Sequence, residues 1–182
     1  TVYGGVSYLK RREIKDIVSY LKFIIDSENI THFKRIINQP ARGIGDKTID
    51  KVLEIMIEKE VSLFEAITLA QIASPSAKTN ALQEFKMMIL DFQEKINELS
   101  LQEFYDYLLT KTGYLEMAKQ EDQDNETNRV GNLEEFKSIL LKVESNFLDE
   151  DLTNVEKLKR SFDEIILDES LGDKDNKKGV IL

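Results

Sequence analysis

"PARGIGDKTIDKVLEIMIEKE", residues 40–60, holds two kinds of sequence end to end. From Gly45 onward, Ile49, Val52, Leu53, Met56 and Ile57 fall on one stripe at helical spacing, which predicts an amphipathic helix over 45–60. Ahead of it, Arg42 precedes Gly43 and Gly45, the two glycines flank Ile44, and Lys47 and Thr48 follow. Pro40 closes whatever helix comes before.

The helical period runs outward from this stretch in both directions. Upstream, "LKRREIKDIVSYLKFIIDS" (9–27) places Ile14, Ile17, Val18, Leu21, Ile24 and Ile25 on one face, and "ENITHFKRIINQ" (28–39) reads as a second helix. Downstream, Ser62, Ser74 or Ser76, and Ser100 are N-caps for helices over 62–72, 76–98 and 100–112. Gly113 stops the last of these in a left-handed conformation. "GYLEMAKQ" is a short helix, "EDQDNETN" (121–128) a polar loop, and 129–147 and 152–169 two further helices. A polar linker spans 170–179. Only two prolines and eight glycines interrupt 182 residues, and the expectation is all-α: a compact bundle of about nine helices with short β-strand stubs at both termini.

The stubs are "TVYGG" at the start and "GVIL" at the end. They divide the chain into a strand stub at 1–4, a helical body at 5–178 and a second stub at 179–182. Two accounts of them stand: a small two-stranded sheet joining the termini, or a domain inserted in a larger protein and cut at its hinges.

Composition narrows the chemistry. No cysteine is present, so disulfides, thiolate catalysis and cysteine-based zinc sites are excluded. No apolar run approaches the roughly 20 residues of a membrane span. Residues 1–25 mix apolar and charged groups unlike a secretory signal, so no membrane partner and a cytoplasmic location are expected. The net charge of −9 is unevenly spread: residues 1–60 hold 11 Lys/Arg against 9 Asp/Glu, and the rest 14 against 25. Nucleic-acid binding must therefore come from a local patch in the first third.

"GIGDKT" is not a nucleotide loop, because Asp46 stands where that loop needs glycine before Lys-Thr. Two readings of it remain. In one, Gly43 and Gly45 make a tight turn and Asp46 is an ordinary N-cap. In the other, the turn aims the first free amides of the helix and Thr48 outward as an anion site, with Arg42, Lys47 and Lys51 around it and Ile44 locking it from inside. Such a site grips one phosphate and reads no base. Arg11, Lys15 and Lys22 lie within about 40° of Lys15 on the upstream helix, either as a cationic ridge or as a solvated face. His32 is the only histidine, and no metal site or nucleophile–base pair emerges. Phe85, Phe92, Phe104, Tyr105 and Tyr107 read as core.

"VYGGVSYLKRREIKDIVSYLKFI", "RIINQPARGIGDKTIDKV", "NRVGNLEEFKSIL" and "KKGVIL", in this order and spacing, resemble the stretch between the two halves of the second motor domain in UvrD/PcrA-type superfamily 1 DNA helicases. The resemblance implies the helical accessory subdomain called 2B, hinged on the second motor domain. It implies that this subdomain touches duplex DNA ahead of the single/double-strand junction through its Gly-Ile-Gly turn and regulates 3'-5' unwinding by hinge rotation, in repair or replication. Gly43, Ile44, Gly45 and Thr48 occupy the turn motif, with Arg42 before it. Lys15 is the lysine of E-I-K-D, Lys22 matches a position that is often basic, and Lys47 sits where the family varies. The Walker motifs are missing, so the resemblance implies no ATPase activity, catalytic residue or cofactor in this stretch, with ATP and magnesium belonging to the parent helicase. The implied partners are duplex DNA, the other helicase subdomains, and repair proteins or RNA polymerase. The rival function is a helical adaptor whose acidic half docks such a protein.

Overall fold

The computed structural model describes residues 6–163, so both expected strand stubs and the 170–179 linker lie outside the described residues. Among the described residues the fold is all-α, with no strand. The helices are α1 (Val6–Leu9), α2 (Arg12–Ile25), α3 (Ile30–Ile36), α4 (Asp46–Lys59), α5 (Leu63–Ala73), α6 (Ala77–Lys95), α7 (Leu101–Thr112), α8 (Tyr114–Asn125) and α9 (Arg129–Asn146). Residues 154–163 are helical up to the last described residue. The chain forms two units, one of Val18–Lys95 and one of Thr1–Ile17 with Ile96–Leu182.

Three helices differ from the sequence expectation. The helix expected over 9–27 begins only at Arg12, after the short α1 and a break at residues 10 and 11. A straight helix would put Tyr8 seven residues before Lys15, within about 20° of that exposed lysine. The break instead buries Tyr8, whose hydroxyl donates to the Asn132 carbonyl at 3.2 Å. The expected loop at 121–128 is helical as far as Asn125, because Glu121 is held by ion pairs to Arg12 at 2.5 Å and Arg129 at 2.7 Å. An all-polar run shows no periodicity, so neither pair could be read from the sequence. Finally, α4 is capped by Gly45, not by Asp46, which is its first helical residue.

In the unit of residues 18–95, Phe23, Phe33 and Phe85 form a triangle of rings 5.9 to 6.0 Å apart, and Phe64 meets Phe23 edge-on at 6.1 Å. Phe23, Phe33 and Phe85 are fully or almost fully buried, where each phenyl ring contributes roughly 1.5–3 kcal/mol of burial. Lys86 ties α6 to α5 by donating to the Phe64 carbonyl at 3.0 Å and to Thr68 Oγ1 at 2.6 Å.

The other unit encloses Ile14, Ile17, Phe104, Tyr105, Leu108, Tyr114, Leu133, Phe136 and Leu140. Tyr105 and Phe136 pack at 5.6 Å, and the Tyr105 hydroxyl donates to the Leu133 carbonyl at 2.8 Å. A polar network crosses this core. Buried Glu13 accepts from Arg129 Nη1 at 2.9 Å and Asn132 Nδ2 at 2.6 Å. Buried Asp16 accepts from the Tyr114 hydroxyl at 2.6 Å. Burial first, and then that hydrogen bond, push the Tyr114 phenol well above its ordinary value and keep it a donor. Thus the carboxylates of E-I-K-D are internal fastenings: the Arg129–Phe136 block supplies the partners of Glu13, and Tyr114 that of Asp16.

Candidate nucleic-acid interface

The Gly-Ile-Gly turn lies wholly within the unit of residues 18–95. It begins where α3 ends at Ile37 and the Gln39–Pro40 peptide is cis. Gly43 has φ +71, a left-handed conformation that an L side chain adopts only under strain. Gly45 does not share that constraint: its φ of −80 and ψ of 166 are ordinary extended backbone. A Cβ built on either glycine meets nothing within 4 Å. Ile44 between them is buried, 2% exposed, and locks the turn from inside as expected.

Arg42 turns inward. Its Nη1 donates to the carbonyls of Ile36 at 2.9 Å and Ile37 at 2.7 Å, and its Nη2 donates to the Tyr20 hydroxyl at 2.7 Å. The guanidinium lies over the Phe85 ring, 5.0 Å from its centre. The Tyr20 hydroxyl in turn donates to the Gln39 carbonyl at 2.6 Å. Arg42 therefore satisfies the free carbonyls at the end of α3 and supports the turn, and is not one of the charges around its mouth.

Asn38, absent from the sequence-based site, is the other support. Its Nδ2 donates to the Ile44 carbonyl at 2.5 Å, while its Oδ1 accepts from the amides of Ile44 at 3.1 Å and Arg42 at 3.3 Å. The available signal was a fork-shaped amide six residues before a turn that needs both a donor and an acceptor.

The mouth of the turn is the start of α4. No side chain caps this helix. The Thr48 amide folds back to the Gly45 carbonyl at 3.2 Å, as does that of Ile49 at 3.2 Å, so Thr48 does not present a free N–H. The amides of Asp46 and Lys47 take no acceptor among the described residues, and both residues are exposed. The starts of α3 and of α5 to α9 are filled. Asn29, Ser62, Ser76 and Ser100 each accept an amide of α3, α5, α6 or α7 at 3.1 to 3.2 Å. Thr112 Oγ1 takes the first amide of α8 at 3.2 Å, and Asp122 takes the first two of α9 at 2.8 and 3.0 Å.

Of the surrounding cations, Lys47 and Lys51 are exposed on α4 and Lys34 on α3. A cleft of about 270 Å³ beside the turn is lined by Lys34, Ile37, Asn38, Asp46, Ile49 and Asp50. Lys22 is half-buried in the same unit, and its charge adds to burial in lowering the pKa of His32. His32 Nδ1 lies 3.0 Å from Ser19 Oγ, a boundary position as expected. Lys15 belongs to the other unit, where it is exposed. Arg11, also in that unit, is not a free cation of a ridge: it is bonded to Asn132 Oδ1 at 2.5 Å and lies over the Tyr8 ring at 5.4 Å. Among the described residues no group of three or more His, Cys, Asp or Glu side chains is placed to hold a metal ion. No described helix is long and apolar enough to cross a membrane.

Helices alone define no activity; comparison with known proteins gives the class. The UvrD-like helicase C-terminal domain matches residues 1–181, and the chain belongs to that family. Among its relatives, the ATP-dependent DNA helicase PcrA of Bacillus subtilis (strain 168) is 34% identical over 152 residues, covering 83% of this chain and 21% of that protein. The ATP-dependent DNA helicase PcrA of Staphylococcus aureus (strain Mu50) is 33% identical over 147 residues, covering 80% and 20%. The chain thus spans about a fifth of the length of the curated relatives it matches.

Proposed function

We propose that this chain is the 2B accessory subdomain of an ATP-dependent DNA helicase, and that it holds duplex DNA by the phosphate backbone through the turn at residues 43–47. The observation that carries the reading is the open start of α4: two exposed amides without an acceptor, a helix dipole behind them, and Lys47 and Lys51 beside them. Backbone amides recognise phosphate and ignore base identity, which suits a motor that travels over any sequence. Within the helicase the grip lies ahead of the single/double-strand junction, and rotation of the subdomain on its hinges regulates unwinding. ATP, magnesium and the catalytic groups belong to the rest of the helicase, and the other subdomains are its neighbours.

Titration of the 182-residue chain with unrelated duplexes at low and high salt tests this. Each neutralised phosphate contributes roughly −0.9 to the slope of log K against log salt. Equal affinities on all sequences with a slope near −1 to −3 are expected for so small a contact. Sequence-dependent affinity, or no binding at low salt, refutes the grip and returns the helical-adaptor reading.

A further inference from the structure

We propose that Asn38 is a positioning residue for the phosphate grip, holding the turn in its open form through its side-chain amide; this rests on the reading of the turn given above. A turn with left-handed Gly43 at its centre is intrinsically loose, and fixing one residue costs roughly 1–2 kcal/mol of backbone entropy. Asn38 reaches across from the end of α3 and pairs with both polar groups of Ile44, while its Oδ1 also takes the Arg42 amide. The two ends of the turn are thereby fastened to one side chain. That fastening has a second effect. It uses up the Ile44 and Arg42 amides, so the N–H groups left without an acceptor beyond Ile44 are those of Gly45, Asp46 and Lys47. Asn38 thus decides which amides remain for the anion. Asparagine suits this position because it carries a donor and an acceptor in one short planar fork, whereas aspartate lacks the donor and serine the span.

The test compares wild type with Asn38→Ala and Asn38→Ser in the 182-residue chain. Amide hydrogen exchange is read at Ile44 and, as a control in the middle of α4, at Val52. Exchange at Ile44 should rise at least about tenfold in Asn38→Ala with Val52 unchanged, as expected for losing a hydrogen bond. Duplex affinity at low salt should fall about tenfold, and the salt slope should shrink by about one phosphate. A side chain that only stabilised the fold would lower the melting temperature and leave the affinity and slope of the folded fraction untouched. If Asn38→Ala does not fold, Asn38→Ser is read in its place, with the same direction of change. Wild-type affinity and slope in a folded Asn38 variant overturn the inference, as does an Ile44 amide that exchanges freely in wild type. Loss of affinity in Gly45→Ser with none in Asn38→Ala rejects the role of Asn38 alone. Absence of duplex binding by wild type rejects the grip and this role together.

Discussion

Gly45→Ser separates what the turn does for the fold from what it does for a ligand. Gly45 is the N-cap of α4 in extended backbone, and a Cβ there meets nothing within 4 Å. Serine therefore enters without strain. Its hydroxyl is set to accept from an amide of the first turn, as Ser62 and Ser100 do at 3.2 and 3.1 Å three residues ahead. Serine exceeds glycine as an N-cap by a few tenths of a kcal/mol, so the variant should melt slightly higher than wild type. For a phosphate the same change is harmful. The hydroxyl caps Thr48, three residues ahead, and with the Cβ it narrows the approach to the free amides of Asp46 and Lys47. One hydrogen bond to a charged group is worth about 1.5–3 kcal/mol, or roughly 10- to 100-fold in affinity. The assay is a thermal melt alongside a fluorescence-anisotropy titration with a labelled duplex at low salt. Stability and affinity should move in opposite directions. A variant that melts higher and binds as tightly as wild type would falsify the use of these amides. Gly43→Ala is the companion: with φ at +71, alanine is strained by about 1–2 kcal/mol, so stability and affinity should fall together.

Three further outcomes follow from the fastenings. Arg42→Lys should lose the fork that serves Ile36, Ile37 and Tyr20, costing about 2 kcal/mol and lowering the melting temperature by roughly 4–8 °C; an unchanged melt means those carbonyls find other donors. Arg129→Ala leaves the Glu13 carboxylate, 3% exposed, with Asn132 as its one remaining partner in that network, and urea unfolding should report a loss of about 3 kcal/mol, largely relieved in the double variant with Glu13→Gln. Asp122 is pushed up by burial, but the bonds from Thr127, Val130 and Arg129 outweigh this and hold its carboxyl below the ordinary value. Its folded pKa is therefore the lower one, so its contribution is present above the unfolded value and is lost as pH falls through the folded value. The stability gap between wild type and Asp122→Ala, about 1 kcal/mol at neutral pH, should close as pH falls below the ordinary carboxylate range; a constant gap shows that the charge of Asp122 is not what holds the start of α9.

The helical fold was readable because its signal is local. Stripes such as Ile49, Val52 and Leu53, and the caps at Ser62 and Ser100, depend on spacing that one strand of sequence displays. The misreadings share a different cause. Glu121 is helical because Arg12 and Arg129 hold it from 109 and 8 residues away, and Tyr8 bends the chain to reach Asn132. Such partners are chosen by the tertiary fold, which propensity does not see. Within the site, Gly43 and Ile44 were legible from their own stereochemistry, whereas Gly45 sits in extended backbone that the tight-turn reading did not anticipate. The inward turn of Arg42 was not, because a guanidinium at a turn reads equally as a ligand for phosphate or for carbonyls. The free carbonyls of Ile36 and Ile37 and the face of Phe85 decide between these, and all three are features of the folded chain.

The same comparison bears on why α4 begins as it does. At α3, α5, α6 and α7 a neighbouring Asn or Ser fills an amide of the first turn, and at α8 and α9 Thr112 and Asp122 reach in to do so. A single substitution of Gly45 to serine would give α4 the same stabilisation at no steric expense. Yet the start of α4 is also the place where Asn38, Arg42 and Tyr20 are gathered to hold the backbone in one conformation. A turn that is rigidly supported from behind and left unfilled in front is hard to explain as a device for stability, since the support and the vacancy act in opposite directions on the free energy of folding. It is explained if the unfilled amides are the working part and the support exists to aim them. The opposite movement of stability and affinity in Gly45→Ser is the consequence of that view, and a Gly45→Ser chain that binds duplex as tightly as wild type removes the reason for holding it.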